Sequence, residues 1–127
     1  MANILIVEDE AIVALENKMN LGALGHNVTA ITSSAENAIM AFHDNIPDLI
    51  LLDIKLKGTM DGIEAIIEIR KNSSVPVIFI TGNSDTKTIQ RVSEIPNTIY
   101  LQKPILLDEL ITALNTMLSK DSSPVTV

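Results

Sequence analysis

The amino-acid sequence predicts an α/β fold: a doubly wound, five-stranded parallel sheet in the order 2-1-3-4-5, with five helices. Three observations carry this. Residues 4–7, 49–52, 75–80 and 98–101 form short apolar runs without polar alternation, so both faces of each strand must be covered, as in a parallel sheet between helices. Strand-like and helix-like segments alternate five times along the chain, and repeated βα units are joined by right-handed crossovers. With 127 residues the chain is about the size of one domain, with little room for a second core.

The elements follow in order. Ile4-Leu5-Ile6-Val7 runs into Glu8-Asp9-Glu10, and residues 10–24 then carry apolar positions at helical spacing. Gly25 stands where a left-handed cap is expected. Asn27 to Thr32 alternates weakly with polar residues, which suits an edge strand. Ser34 is placed to cap a helix over 35–45, and Asn45-Ile46-Pro47-Asp48 stops it. Leu49-Ile50-Leu51-Leu52 leads to Asp53; a helix over 62–71 ends at Asn72-Ser73-Ser74. Val75-Pro76-Val77-Ile78-Phe79-Ile80 leads to Thr81-Gly82-Asn83, ahead of a helix over 85–95. Thr98-Ile99-Tyr100-Leu101 leads to Lys103-Pro104, ahead of a helix over 106–119. The domain is therefore expected to occupy 1–119, with 120–127 as a tail or linker.

Composition narrows the classes of function. Nine Lys and Arg against sixteen Asp and Glu give a net charge of −7, which repels phosphate backbones and anionic lipid heads. Neither direct nucleic-acid binding nor a membrane partner is expected. The absence of cysteine excludes disulfides, thiolate nucleophiles and cysteine zinc sites. Met1-Ala2-Asn3 lacks the basic start of a signal peptide, and no apolar run reaches the ~20 residues of a membrane helix. A cytoplasmic location is the expectation.

In an open parallel sheet, ligands bind outside the carboxyl ends of the strands near the switch point. Those ends carry Glu8, Asp9, Asp53, Thr81 and Lys103. Each has an ordinary alternative: Asp9 as a helix cap, Asp53 as a turn former, Thr81 as a β-branched strand residue, Lys103 as a solvated cation. Their joint arrival at one edge is what points to a site. Carboxylates within ~4 Å repel by several kcal/mol at an effective dielectric of about 20, so positive charge must sit among them. Lys103 supplies one charge, and an all-oxygen cluster suits Mg²⁺ better than calcium, for which no EF-hand loop is present. A carboxylate beside Mg²⁺, a lysine and a threonine is equipped to accept a phosphoryl group.

Over residues 3–119 the sequence resembles the receiver domain of two-component response regulators, which have a flavodoxin-like fold. The resemblance rests on Glu8-Asp9, on Asp53 ending Leu-Ile-Leu-Leu-Asp, on Met60-Asp61-Gly62-Ile63-Glu64, on Pro76 to Thr81, and on Tyr100-Leu101-Gln102-Lys103-Pro104. It implies Asp53 as phosphoacceptor and Glu8, Asp9, Asp53 and the backbone carbonyl of Lys55 as the Mg²⁺ site. Thr81 and Lys103 would bind phosphoryl oxygens, Thr81 and Tyr100 would form the switch, and Lys103-Pro104 would be a cis peptide. Lys55 and Asn83 would tune phosphoryl lifetime. The implied partners are a histidine kinase or phosphotransfer protein, and a receiver homodimer or fused output domain. A receiver is not a conventional enzyme; it assists its own phosphorylation and dephosphorylation.

The chain departs from the receiver pattern in two loops. Lys57 stands where many receivers have proline, in a loop that reads one residue longer, and loops of this Gly-Thr-Met-Asp-Gly kind resemble those of receivers attached to sensor kinases. Ile95-Pro96-Asn97 replaces a glycine-containing turn, so the fourth helix is expected to be shortened or displaced. The rival readings are a degenerate receiver that only binds protein, and an aspartate-nucleophile phosphatase. The first conflicts with the full set of acids, Thr81 and Lys103; the second lacks a general acid, because Lys55 holds the position where one is needed. The first helix, apolar beyond its core stripe from Ala11 through Leu15, is either a docking face or buried under the 54–61 loop. His26 and His43 are read as exposed and without a role.

Overall fold

Strand β1 (Asn3–Val7) turns Leu5 and Val7 to one side of the sheet and Ile4 and Ile6 to the other, all at most 1% exposed. This two-faced burial recurs in β3 (Leu49–Asp53) and β4 (Val77–Thr81), and it explains why their sequences do not alternate. One face is covered by α1 (Ala11–Ala23) and α5 (Leu107–Ser119), through Ala14 and Leu21 and through Leu110, Ala113, Leu114 and Met117. The other is covered by α2 (Ala35–Asp44), α3 (Gly62–Arg70) and α4 (Thr86–Ser93), through Ala38 and Phe42, Ile63, Ile66 and Ile69, and Val92. With β2 (Asn27–Thr32) and β5 (Thr98–Gln102) at its edges, the all-parallel sheet has the order β2-β1-β3-β4-β5. The computed structural model describes residues 1–82 and 85–119; Asn83 and the segment 120–127 read as a tail lie outside the described residues.

The helix punctuation is largely as the sequence implies. Gly25 has φ +91°, and the amides of Gly25 and His26 close on the carbonyls of Gly22 and Leu21. This is the paired hydrogen bonding of a left-handed helix terminus. Ser34 accepts from the Asn37 amide at the start of α2. Asp61 and Glu64 exchange side-chain-to-amide hydrogen bonds, each 2.8 Å, in a capping box that opens α3.

Three expectations are corrected, and the shortening expected of the fourth helix is found. β4 begins at Val77, not Val75, because Pro76 has no amide and contributes only its carbonyl, to Ile50. β5 is half exposed as an edge strand, although its sequence reads as a doubly covered one. α4 stops at Ser93, short of 95, and Asn97 takes the left-handed conformation (φ +58°) that a glycine would otherwise provide. His26 is half-buried, and its Nδ1 accepts from the Ala2 amide at 3.1 Å. His43 is exposed, as read. No described helix is long and apolar enough to cross a membrane.

Gly62 ties the fold to the functional edge. Its amide donates to the Ile54 carbonyl at 2.7 Å, and a Cβ there would lie 2.3 Å from the Asp53 carbonyl oxygen. Only glycine lets α3 start this close to the end of β3. Gly62→Ala is therefore expected to destabilise the protein by about 2 kcal/mol, the scale of an overpacked core, with a lowered urea midpoint. An unchanged midpoint would contradict this close approach.

Candidate functional site at the carboxyl edge of the sheet

Five side chains converge because four parallel strands end on the same edge. Glu8 and Asp9 follow β1, Asp53 and Thr81 are the last residues of β3 and β4, and Lys103 follows β5. The strand ends are knit together by backbone, with Ile54 N–H on the Ile80 carbonyl (3.0 Å) and Lys103 N–H on the Thr81 carbonyl (2.8 Å). Glu8, Asp53 and Thr81 are at most 5% exposed, and Asp9 is half-buried. The Lys103–Pro104 peptide bond is cis.

Both oxygens of Asp53 are held. Lys103 Nζ donates to Oδ2 at 2.8 Å, and the Lys55 amide donates to Oδ1 at 3.1 Å. The second contact is the ordinary turn bond of an Asp, so the turn-forming reading is realised alongside the ion pair. Lys103 Nζ also lies 3.6 Å from Glu8 Oε1 and 3.5 Å from Glu10 Oε1. One ammonium thus serves three carboxylates.

That imbalance appears in the proton affinities. Burial pushes the Glu8 carboxyl up to about 7; the Glu10 amide on its Oε2 opposes this, the negative charge of Asp53 adds to it, and Lys103 opposes it. Burial alone would lower Lys103, but the hydrogen bond and charge of Asp53 overcome it and, with Glu8 and Glu10, hold the ammonium above its ordinary value. Both shifts favour added positive charge. Glu8, Asp9 and Asp53 each present a carboxylate oxygen within 4.8 Å of the others, and Glu8 Oε1 is buried without a hydrogen-bond partner among the described residues. An all-oxygen donor set with an unsatisfied buried oxygen fits a hard divalent cation.

Glu8, Asp9, Asp53, Lys55, Thr81 and Lys103 gather at this edge and Tyr100 does not; Asn83 lies outside the described residues. Tyr100, 38% exposed, lines a groove beside α4 with Ile89, Val92 and Ile95. The Lys55 side chain is exposed and borders a cleft shared with Thr81, Asp61 and Arg91. Asp9 does not cap α1: Glu10 occupies that position, and its side chain makes no capping bond. On α1, Ile12, Leu15 and Met19 are exposed, so the alternative of burial under the 54–61 loop is not realised. Two features went unread. The approach of Glu10 to Lys103 joins residues ninety-three positions apart, and nothing local to residue 10 signals it. The ion pair between Asp61 and Arg91 (Oδ2 to Nη1, 3.0 Å) joins residues thirty positions apart, and only Asp61-x-x-Glu64 could have flagged one half of it.

Comparison with known proteins agrees with this architecture. A family model described as the response regulator receiver domain matches residues 4–115. The transcriptional regulatory protein MalR of Bacillus subtilis is 36% identical over 117 residues, covering 91% of this chain and 49% of MalR. The transcriptional regulatory protein PdtaR of Mycobacterium tuberculosis is 27% identical over 117 residues, covering 92% of this chain and 57% of PdtaR. The chain spans about half the length of these relatives. Among solved structures, the signal receiver domain of a modulated diguanylate cyclase from Desulfovibrio desulfuricans G20 superposes with a TM-score of 0.87 at 32% identity, covering 96% of this chain and 97% of that one. The receiver domain of the PhyR response regulator from Erythrobacter litoralis gives a TM-score of 0.81 at 29% identity, covering 99% and 96%.

The raised Glu8 carboxyl has a consequence for stability. Between its ordinary 4.5 and about 7 the folded protein binds a proton that the unfolded chain does not. Without divalent cations, stability is expected to be greatest at the acid end of this window and to fall as pH rises to about 7. Glu8→Gln is expected to flatten that slope in urea titrations in EDTA. A Glu8 carboxyl carbon titrating by NMR near 4.5 in the wild type would contradict the assignment.

Proposed function

This chain belongs to the response regulator receiver domain family, and from that premise we propose that it is a phosphorylation-dependent signalling switch, with Asp53 accepting a phosphoryl group from a histidine kinase or phosphotransfer protein. The observation that carries the reading is Asp53 itself, 4% exposed, with both oxygens oriented by Lys103 and Lys55 and with Glu8, Asp9 and Thr81 at the same edge. A lone turn-forming aspartate would need none of these neighbours.

The chemistry is a transfer in which an Asp53 carboxylate oxygen forms a bond to phosphorus as the phosphorus–nitrogen bond of a phosphohistidine breaks, and the imidazole leaves with the electron pair. Lys103 and the Thr81 hydroxyl bind the phosphoryl oxygens. Mg²⁺ fits the carboxylate set: Asp9, Asp53 and the Lys55 carbonyl would hold it directly and Glu8 through water. When bound it neutralises charge on the transferring oxygens. The protein is thus a phosphoacceptor that assists its own phosphorylation and dephosphorylation. The phosphatase reading fails on Lys55, which leaves no second acid two positions after Asp53.

The readout follows from strand pairing. Thr81 lies opposite Gln102 in the β4–β5 register, two residues along from the Phe79–Tyr100 pair. A phosphoryl group on Asp53 draws the Thr81 hydroxyl toward it, because charge-assisted hydrogen bonds are the stronger ones. Tyr100 then turns from its exposed position toward the sheet. The surface of α4, β5 and α5 is re-formed for a second receiver or a fused output domain, as a population shift between two packings. Lys55, bordering the approach to Asp53, and Asn83 tune how long the phosphoryl group survives.

Incubation with Mg²⁺ and acetyl phosphate is expected to label the protein at Asp53, and Asp53→Asn to abolish the label; undiminished labelling of that variant overturns the reading. Asp9→Ala is expected to weaken Mg²⁺ binding more than Glu8→Ala does, and equal, unchanged affinities would contradict the acid pair. Lys55→Ala and Asn83→Ala are expected to alter the decay rate of the phosphoprotein by up to about tenfold, an effect of ~1.4 kcal/mol, while leaving the Mg²⁺ requirement intact. Decay at the wild-type rate in both variants would remove them from the water path.

A further inference from the structure

Helix α4 is the least anchored of the five. Within Thr86–Ser93 only Val92 is buried, and the helix stands between two openings. On its β5 side is the groove lined by Tyr100, Ile89, Val92 and Ile95, with Tyr100 38% exposed. On its α3 side is the cleft shared by Lys55, Asp61, Thr81, Thr88 and Arg91. The contact that bridges this second cleft is the Asp61–Arg91 pair, with Nη1 to Oδ2 at 3.0 Å and Nη2 to Oδ1 at 3.4 Å. Two roughly parallel N–H···O contacts fix direction as well as distance.

Asp61 is not a free surface acid. It is the N-cap of α3, locked by the reciprocal bonds with Glu64, and the next residue, Gly62, is pressed against the backbone of Asp53 and Ile54. Its position is therefore set by the phosphoacceptor end of β3. Arg91 lies on the helix whose other side adjoins Tyr100. The pair thus connects the segment after Asp53 to the helix that Tyr100 must pass when it turns.

We propose that the Asp61–Arg91 ion pair is a tie that seats α4 against the start of α3 and holds it in the arrangement with Tyr100 facing outward, so that the pair opposes the inward turn. This rests on the switch reading of Thr81 and Tyr100 and adds two positioning residues to it. With the tie broken, the Tyr100-inward packing is more populated before any phosphoryl group arrives, and by linkage an anion that stabilises that packing binds more tightly. The expected size is that of a well-oriented pair at a partly exposed site, about a two- to fivefold change in apparent affinity.

The test uses beryllium fluoride with Mg²⁺ as the phosphoryl mimic on the full chain, following the Tyr100 ring signals by NMR. Arg91→Gln removes the cation, and Asp61→Asn removes the anion while keeping a good capping side chain. Direct electrostatics would make these variants move in opposite directions, since losing Arg91 disfavours an anion nearby and losing Asp61 favours it. The tie requires both to lower the beryllium fluoride concentration at the Tyr100 midpoint, and the double variant to go no further than the larger single effect. Opposite shifts, additive shifts, or an unmoved midpoint in Arg91→Gln overturn the tie. A wild-type protein that binds the mimic while its Tyr100 signals stay fixed overturns the switch reading and the tie with it, whereas moving wild-type signals beside unmoved variants overturn the tie alone.

Discussion

The contact on which the functional edge depends is the 2.8 Å hydrogen bond from Lys103 Nζ to Asp53 Oδ2. Burying a carboxylate is costly unless it is paired, and here Glu8 and Asp53 are both at most 4% exposed. A single ammonium stands 2.8, 3.6 and 3.5 Å from Asp53, Glu8 and Glu10, and it cannot neutralise all of them. At such distances each pairwise term is about 4 kcal/mol at an effective dielectric of 20. Burial raises the Glu8 carboxyl, the charge of Asp53 adds to that rise, and an edge this short of positive charge suits a divalent cation.

The fold supplies that juxtaposition through the parallel sheet. All strands point the same way, so their carboxyl ends share an edge, and the central strands are held in register by apolar side chains on both faces. Each fully buried Ile or Leu contributes roughly 1.5–3 kcal/mol, and β1 and β3 each bury four apolar residues, so the platform is far stiffer than α4. A rigid floor with a lightly anchored helix beside it is a physical setting in which a small change of charge at Asp53 can be read out at a distance.

Much of this was legible in the sequence because the informative signals were local. Unalternating apolar runs mark doubly covered strands, and the residue that follows each run falls at the edge, so Glu8, Asp9, Asp53, Thr81 and Lys103 could be placed together without coordinates. Gly25 and Ser34 were readable for the same reason, each acting within one turn of its own helix. Where the reading failed, the deciding interaction was long-range or ambiguous. Nothing near His26 announces that its Nδ1 meets the Ala2 amide, nothing near Arg91 names Asp61, and the run ending at Leu101 looks fully covered although β5 lies at the edge. Asn97 could take the glycine's place because asparagine tolerates the left-handed conformation, an exception that a search for glycine passes over.

The central claim is that Glu8, Asp9 and Asp53 form one under-neutralised oxygen site. Its most direct test is a Mg²⁺ titration of the metal-free protein with carboxyl carbons labelled for NMR. The account requires the signals of these three residues to move together with a single midpoint while the exposed acids of α1 and α5 stay still. Three separate midpoints, or shifts spread over the surface acids with Asp53 unmoved, would contradict it.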